Sequence, residues 1–106
     1  MTKIRLLLIA WLAAAAGVAQ ADVSVGETKA RSCAVCHGPL GVATAPDTPN
    51  LAGQPERYLT EQLKAYRSGK RSHEVMSLMA KPLSDDDIAS LAAWFASIKV
   101  EAQAPR

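Results

Sequence analysis

Cys33-Ala34-Val35-Cys36-His37 constrains this chain more than any other stretch of its 106 residues, because two thiols and an imidazole share five positions. Residues three apart lie on one side of a helical turn, so both sulfurs face the same way and His37 follows at once. C-x-x-C-H is the pattern of covalent c-type haem attachment. It implies thioether bonds from Cys33 and Cys36 to the two vinyl groups on one porphyrin edge, with the His37 imidazole beneath the ring as proximal iron ligand. A fold that carries such a group has to close around it.

Three other uses of these residues compete. A Cys33–Cys36 disulfide would close a very short loop and leave His37 without a purpose. A thioredoxin-like redox pair needs a βαβ setting, and no strand-helix-strand alternation is present. A zinc site needs four ligands, and the available set is Cys33, Cys36, His37 and the distant His73, in which adjacent Cys36 and His37 fit one tetrahedral ion awkwardly. Haem attachment alone uses all three motif residues without strain.

The start of the chain reads as an export signal. Lys3 and Arg5 precede the uncharged apolar run Leu6 to Val18, and Ala19-Gln20-Ala21 has the small-x-small cleavage pattern. Cleavage after Ala21 divides the chain into a signal over 1–21 and one small domain over 22–106, exported to the periplasm. The apolar run falls short of the roughly 20 residues that span a bilayer, so membrane contact is expected only through partner complexes or an uncleaved signal. Without Lys3 and Arg5 the domain carries 10 basic against 10 acidic residues. That balance gives no basic excess for nucleic acid. Charge is nevertheless clustered: Arg57, Lys64, Arg67, Lys70 and Arg71 form a basic stretch, and Asp85, Asp86 and Asp87 an acidic trio. The basic stretch is either a solvated helix face or a docking patch. A domain this small has a modest core, often completed by a cofactor.

Periodicity predicts four helical stretches and no strand. The first runs from about Ser24, as N-cap, to Cys36, with Gly26 inside it permitting close approach of another backbone. Three prolines and three glycines between Gly38 and Gly53 predict a rigid loop, with one short helical turn near Leu51. The next helix starts at Pro55 and ends at Gly69, with Tyr58, Leu59, Leu63 and Tyr66 as its apolar stripe. Ser84 caps the last helix, Asp85 to Asp87 occupy a first turn where negative charge suits the dipole, and Ile88, Leu91, Phe95 and Ile98 form its buried stripe, flanked by Trp94. Between Gly69 and Leu83 the pattern predicts a non-helical connection holding His73, Met76 and Met79. A thioether is a soft ligand suited to haem iron, and by chemistry alone either methionine qualifies.

The chain resembles the class I c-type cytochromes, particularly small bacterial monohaem ones and single halves of periplasmic dihaem cytochromes. The matching residues are Gly26, Cys33 to Gly38, Pro49-Asn50-Leu51-Ala52-Gly53-Gln54, Tyr58-Leu59, Gln62-Leu63, Gly69-Lys70-Arg71, Met76, and Leu83-Ser84-Asp85 with Asp87-Ile88 and Leu91-Ala92. They span about Gly26 to Ser97. The resemblance implies an all-α cytochrome c fold of about four helices around one covalent haem c, with the N- and C-terminal helices crossing at Gly26, near Phe95 and Trp94. It implies Met76 as the distal ligand opposite His37, with Met79 as packing. It also implies that the Pro49 carbonyl accepts the His37 Nδ1 proton, Pro46 being the alternative, which would raise the basicity of the ring.

One C-x-x-C-H means one haem in this chain. With His37 and Met76 both on the iron there is no open position for a substrate, so the expected role is one-electron transfer between redox partner proteins, without enzymatic activity. A haem module of a larger oxidoreductase is the alternative, and a peroxidase or sensor with an open distal site a more distant one. His73 is extra to the pattern and is expected to be a surface histidine.

Overall fold

The computed structural model describes residues 21–106, so the expected export signal lies outside the described residues but for Ala21. Those residues fold into five α-helices, with no strand among them. None of these helices is long and apolar enough to cross a membrane.

The first stretch is three pieces rather than one helix. Helix α1 (Val23–Lys29) passes through a 3₁₀ turn (Ala30–Ser32) to α2 (Ala34–His37). Its cap is Asp22, not Ser24: the Asp22 carboxylate accepts from the backbone N–H groups of Ser24 at 2.9 Å and Val25 at 3.3 Å, and the Ser24 hydroxyl also donates to it. An ionised acceptor that serves two orphan donors outcompetes a hydroxyl. The expected helical turn near Leu51 is instead a non-helical turn, in which the N–H groups of Leu51 and Ala52 both donate to the Gly41 carbonyl, at 2.7 and 3.0 Å.

Helix α3 (Glu56–Ser68) follows Pro55 and stops at Gly69, which adopts the left-handed conformation. The connection expected to lack helix contains α4 (Met76–Ala80). Five residues are too few to leave a periodic signature in sequence. Helix α5 (Asp85–Ser97) has a reciprocal cap: the Ser84 hydroxyl accepts from Asp87 N–H and the Asp87 carboxylate from Ser84 N–H, both at 3.0 Å.

Helix α5 is the centre of the packing, with α1 and α3 against it and α4 on α3. Leu91, Ala92 and Phe95 of α5 join Ala30 and Leu59 in the core, with Leu51, Leu63, Leu83, Trp94 and Ile98 packed around them. Ile98 is therefore at the margin of the stripe, and Tyr58, expected inside, is 45% exposed. The α1–α5 crossing is very close: a Cβ on Gly26 would fall on the Ser90 carbonyl oxygen and within 2.8 Å of Trp94 Cβ. The helices thus meet at Ser90 and Trp94, and Phe95 packs elsewhere, against Gly41. The reason is angular: Ser90 and Trp94 are four apart and share a face, whereas Phe95 is turned about 100° from Trp94.

Ion pairs tie the same helices. Lys29 Nζ of α1 lies 2.6 Å from Asp87 of α5, and Arg67 of α3 lies 2.6 Å from Asp85 while also donating to the Leu83 carbonyl. Two members of the acidic trio therefore hold neighbouring helices to α5. The hydrogen bond from Lys29, and then the Ser84 N–H, lower the Asp87 pKa to about 2 from 3.8. A depressed carboxylate binds fewer protons folded than unfolded, so its stabilisation is complete above about pH 4 and is lost as pH falls toward 2. Asp87→Asn should consequently lower the guanidinium midpoint at neutral pH, with the gap to the parent closing between pH 4 and 2. A gap independent of pH across that window would contradict this assignment.

Candidate cofactor site

The site begins where the 3₁₀ turn hands over to α2. Cys33 N–H donates to the Ala30 carbonyl, and the Cys33 carbonyl in turn accepts from His37 N–H at 2.9 Å, so both cysteines and His37 belong to one hydrogen-bonded turn. Both thiols are free, and each is half-buried. Desolvation pushes the Cys33 thiol above its ordinary pKa. Cys33 and Cys36 are not joined to each other in a disulfide.

His37 is buried, with 6% of its surface exposed. Its Nδ1 lies 2.8 Å from the Pro49 carbonyl oxygen. A carbonyl only accepts, so Nδ1 carries the proton and Nε2 keeps a free lone pair. This tautomer leaves Nε2 as the nitrogen that could bind a metal, while the engaged Nδ1 restrains the ring. Pro49, not Pro46, is the partner, and the loop between the two residues is arranged to deliver it.

That arrangement is local and cooperative. Gly38 ends α2 at φ 80°, and a Cβ there would fall on the Val42 carbonyl oxygen, so the chain reverses immediately after His37. The Cys36 carbonyl accepts from Thr44 and Ala45 N–H, and the Asn50 side chain accepts from Ala43 N–H at 2.7 Å. Gly53 N–H donates to the Phe95 carbonyl at 2.9 Å, which anchors the far end of the loop on α5. Sequence reading gave neither Val42 nor Asn50 a supporting role: Val42 takes part through its backbone carbonyl, and Asn50, although among the residues that carry the resemblance, acts through a side-chain bond across the loop whose partner the sequence does not reveal.

The structure brings Cys33, Cys36, His37 and Pro49 into one cluster and places Met76 on a separate element, as the first residue of α4. Met76 is half-buried and Met79 is 42% exposed, so Met79 does not fill the core as expected. His73 is exposed, but it has structural partners: its Nδ1 accepts from the backbone N–H groups of Val75 at 3.1 Å and Met76 at 3.2 Å. Among the described residues no three His, Cys, Asp or Glu side chains are placed to share a metal ion, so the zinc set with His73 is not assembled.

A large apolar group suits what the chain presents. Leu40 (58%), Val42 (55%) and Leu78 (72%) are exposed on the segments that follow His37 and Met76. Two thiols, one oriented imidazole and a thioether on α4 are the donor types that a covalent haem takes. A shallow depression elsewhere, over the solvent face of α3, is lined by Glu56, Arg57, Thr60, Glu61 and Lys64 and is too open to enclose such a group.

The basic stretch is largely committed within the domain. Arg57 pairs with Glu61, Arg67 with Asp85, and Arg71 donates to Gln62 at 2.7 Å while its guanidinium lies 4.7 Å from the Tyr66 ring centre. Lys64 and Lys70 have no ion-pair partner among the described residues.

Comparison with known proteins places these observations. The family model described as cytochrome c matches residues 25–99. Cytochrome c-554(548) of Halomonas halodenitrificans is 46% identical over 79 residues, covering 72% of this chain and 95% of that protein. The thiosulfate dehydrogenase electron acceptor of Thiomonas intermedia is 41% identical over 96 residues, 90% of this chain and 44% of that one. Among solved structures, reduced recombinant cytochrome c4 from Pseudomonas stutzeri superposes with a TM-score of 0.70 at 40% identity, covering 76% of this chain and 47% of that chain. The chain thus spans less than half the length of two of these three relatives.

Proposed function

This chain belongs to the cytochrome c family, and from that premise we propose that it is a one-electron carrier whose haem c is held by Cys33, Cys36, His37 and Met76. The observation that carries the proposal is the 2.8 Å contact between His37 Nδ1 and the Pro49 carbonyl, beside two free thiols on the same turn. When bound, the haem supplies the ferric/ferrous couple.

The chain's own residues do the rest. Cys33 and Cys36 provide the two thioether attachments. Pro49 O fixes the His37 ring and raises the basicity of Nε2. Met76 contributes a soft thioether, the ligand that raises the potential in cytochromes c. A haem held by both His37 and Met76 would keep no position for a substrate, so the protein would act as a carrier rather than an enzyme. Its partners are redox proteins met through small, weak interfaces, at which Lys64 and Lys70 are the cations left to contribute. The apolar run and small-x-small pattern within 1–21 support export to the periplasm.

A second reading, a haem module within a larger oxidoreductase, is favoured by the partial coverage of the longer relatives, one of them named as an electron acceptor of thiosulfate dehydrogenase. Co-purification of a partner polypeptide separates it from a free shuttle.

The proposal is tested by a potentiometric titration of the exported, purified protein followed in the visible spectrum. Sharp c-type bands that follow one reversible n = 1 curve, about 59 mV per tenfold change in ratio, are the expected result. A colourless protein, or a ferric form that binds cyanide without displacing a ligand, would overturn it.

A further inference from the structure

Helix α4 is five residues long and begins at Met76, and its assigned N-terminal neighbour, Val75, offers no capping side chain. A helix of this length is not stable by itself, and its first N–H groups have no intrahelical acceptors. His73 supplies them. Its ring Nδ1 accepts from Val75 N–H and Met76 N–H, its carbonyl accepts from Ser77 N–H at 3.0 Å, and its own N–H donates to the Ser77 hydroxyl at 3.0 Å. The pattern is that of a capping side chain with a reciprocal return bond, here performed by an imidazole.

His73 is itself held. Two residues upstream, Arg71 N–H donates to the Ala65 carbonyl at 3.1 Å, its guanidinium donates to Gln62, and the same group lies over the Tyr66 ring. The segment entering α4 is therefore fastened to α3 at Arg71 and turned into α4 at His73.

We infer that His73 is a positioning residue for the distal ligand: by accepting the Met76 N–H it fixes the backbone from which the Met76 thioether is presented. The inference rests on Met76 being that ligand. It also accounts for the extra histidine without making it a spare ligand. Nδ1 is engaged by two amides, so the neutral ring carries its proton on Nε2 and has no free lone pair to offer the iron.

The test uses the ferric holoprotein and added imidazole, which competes with Met76 for the iron, with the methionine-to-iron charge-transfer band as readout. In His73→Ala the imidazole concentration that removes half of the band should fall about fivefold, the ratio equivalent to a lost cap of about 1 kcal/mol. Amide exchange at Val75 and Met76 should accelerate alongside. His73→Asn, which caps without an imidazole, should restore both to within twofold of the parent. If the parent shows no such band, the assignment of Met76 is wrong. If the parent shows it and His73→Ala leaves the imidazole midpoint and the exchange unchanged, or His73→Asn behaves like His73→Ala, the positioning role is refuted.

Discussion

Met76→Ala is expected to abolish the ferric methionine-to-iron charge-transfer band and to lower the reduction potential, while Met79→Ala leaves both nearly as they are. The two methionines sit three residues apart on α4 and are chemically equivalent donors, so the difference has to come from their surroundings. Met76 is half-buried, and its N–H is held by His73. Met79 is 42% exposed, one turn further on, and a ligand there would have to give up a hydrated position. Axial ligands set haem potentials over roughly 0.8 V, and loss of one thioether is expected to account for on the order of 100 mV of that range. For a one-electron couple such a shift changes the ferrous/ferric ratio by roughly fiftyfold at a fixed ambient potential. Spectroelectrochemistry of the two variants beside the parent decides the matter. A band that survives in Met76→Ala and vanishes in Met79→Ala would reverse the assignment.

The second large effect concerns the scaffold. Gly26→Ala should lower the thermal midpoint by roughly 15 °C, as expected when about 3 kcal/mol is lost from a domain of this size. The added methyl group would come within 1.9 Å of the Ser90 carbonyl oxygen and press on Trp94 Cβ at 2.8 Å. Neither obstacle is the tip of a flexible side chain, so α1 and α5 have to separate. Alanine returns about 1 kcal/mol through its better helix propensity, too little to compensate. Separation would also stretch the Lys29–Asp87 pair, which joins the same helices. The check is a melting curve with the denaturant m-value measured in parallel, because an unchanged m places the loss in the native packing rather than in the unfolded chain. A substitution that leaves the midpoint within 3 °C would mean that the crossing is wider than the structure shows.

Where local chemistry is decisive, sequence reading and structure agree. Ser84 is a strong N-cap followed by three aspartates whose charge suits the start of a helix, and α5 begins there. Gly69 ends α3 because the left-handed conformation is cheapest for glycine. Disagreement arises where a residue's role depends on what another segment does. Tyr58 belongs to the apolar stripe of α3 by spacing, yet it is exposed. Asp22 displaces Ser24 as the α1 cap because it accepts two amides at once, a choice that propensity ranks as nearly even. Helix α4 carries no periodic signature, since it is one turn long and is maintained by the His73 ring.

The attachment chemistry is determined by sequence alone. Two thiols and an imidazole in five residues stay close to one another along the chain whatever surrounds them, because bond lengths and angles limit how far a five-residue segment can extend. Which way the imidazole faces is a different kind of fact. It follows from the Pro49 carbonyl twelve residues away, held in place by a loop whose far end hydrogen-bonds to α5. Likewise the backbone that Gly26 admits is identified only when Ser90 arrives, and the role of His73 appears only when α4 forms above it. Bonds within a segment are encoded in its own residues, whereas bonds between segments exist only after the chain has closed on itself, and it is these that orient the site.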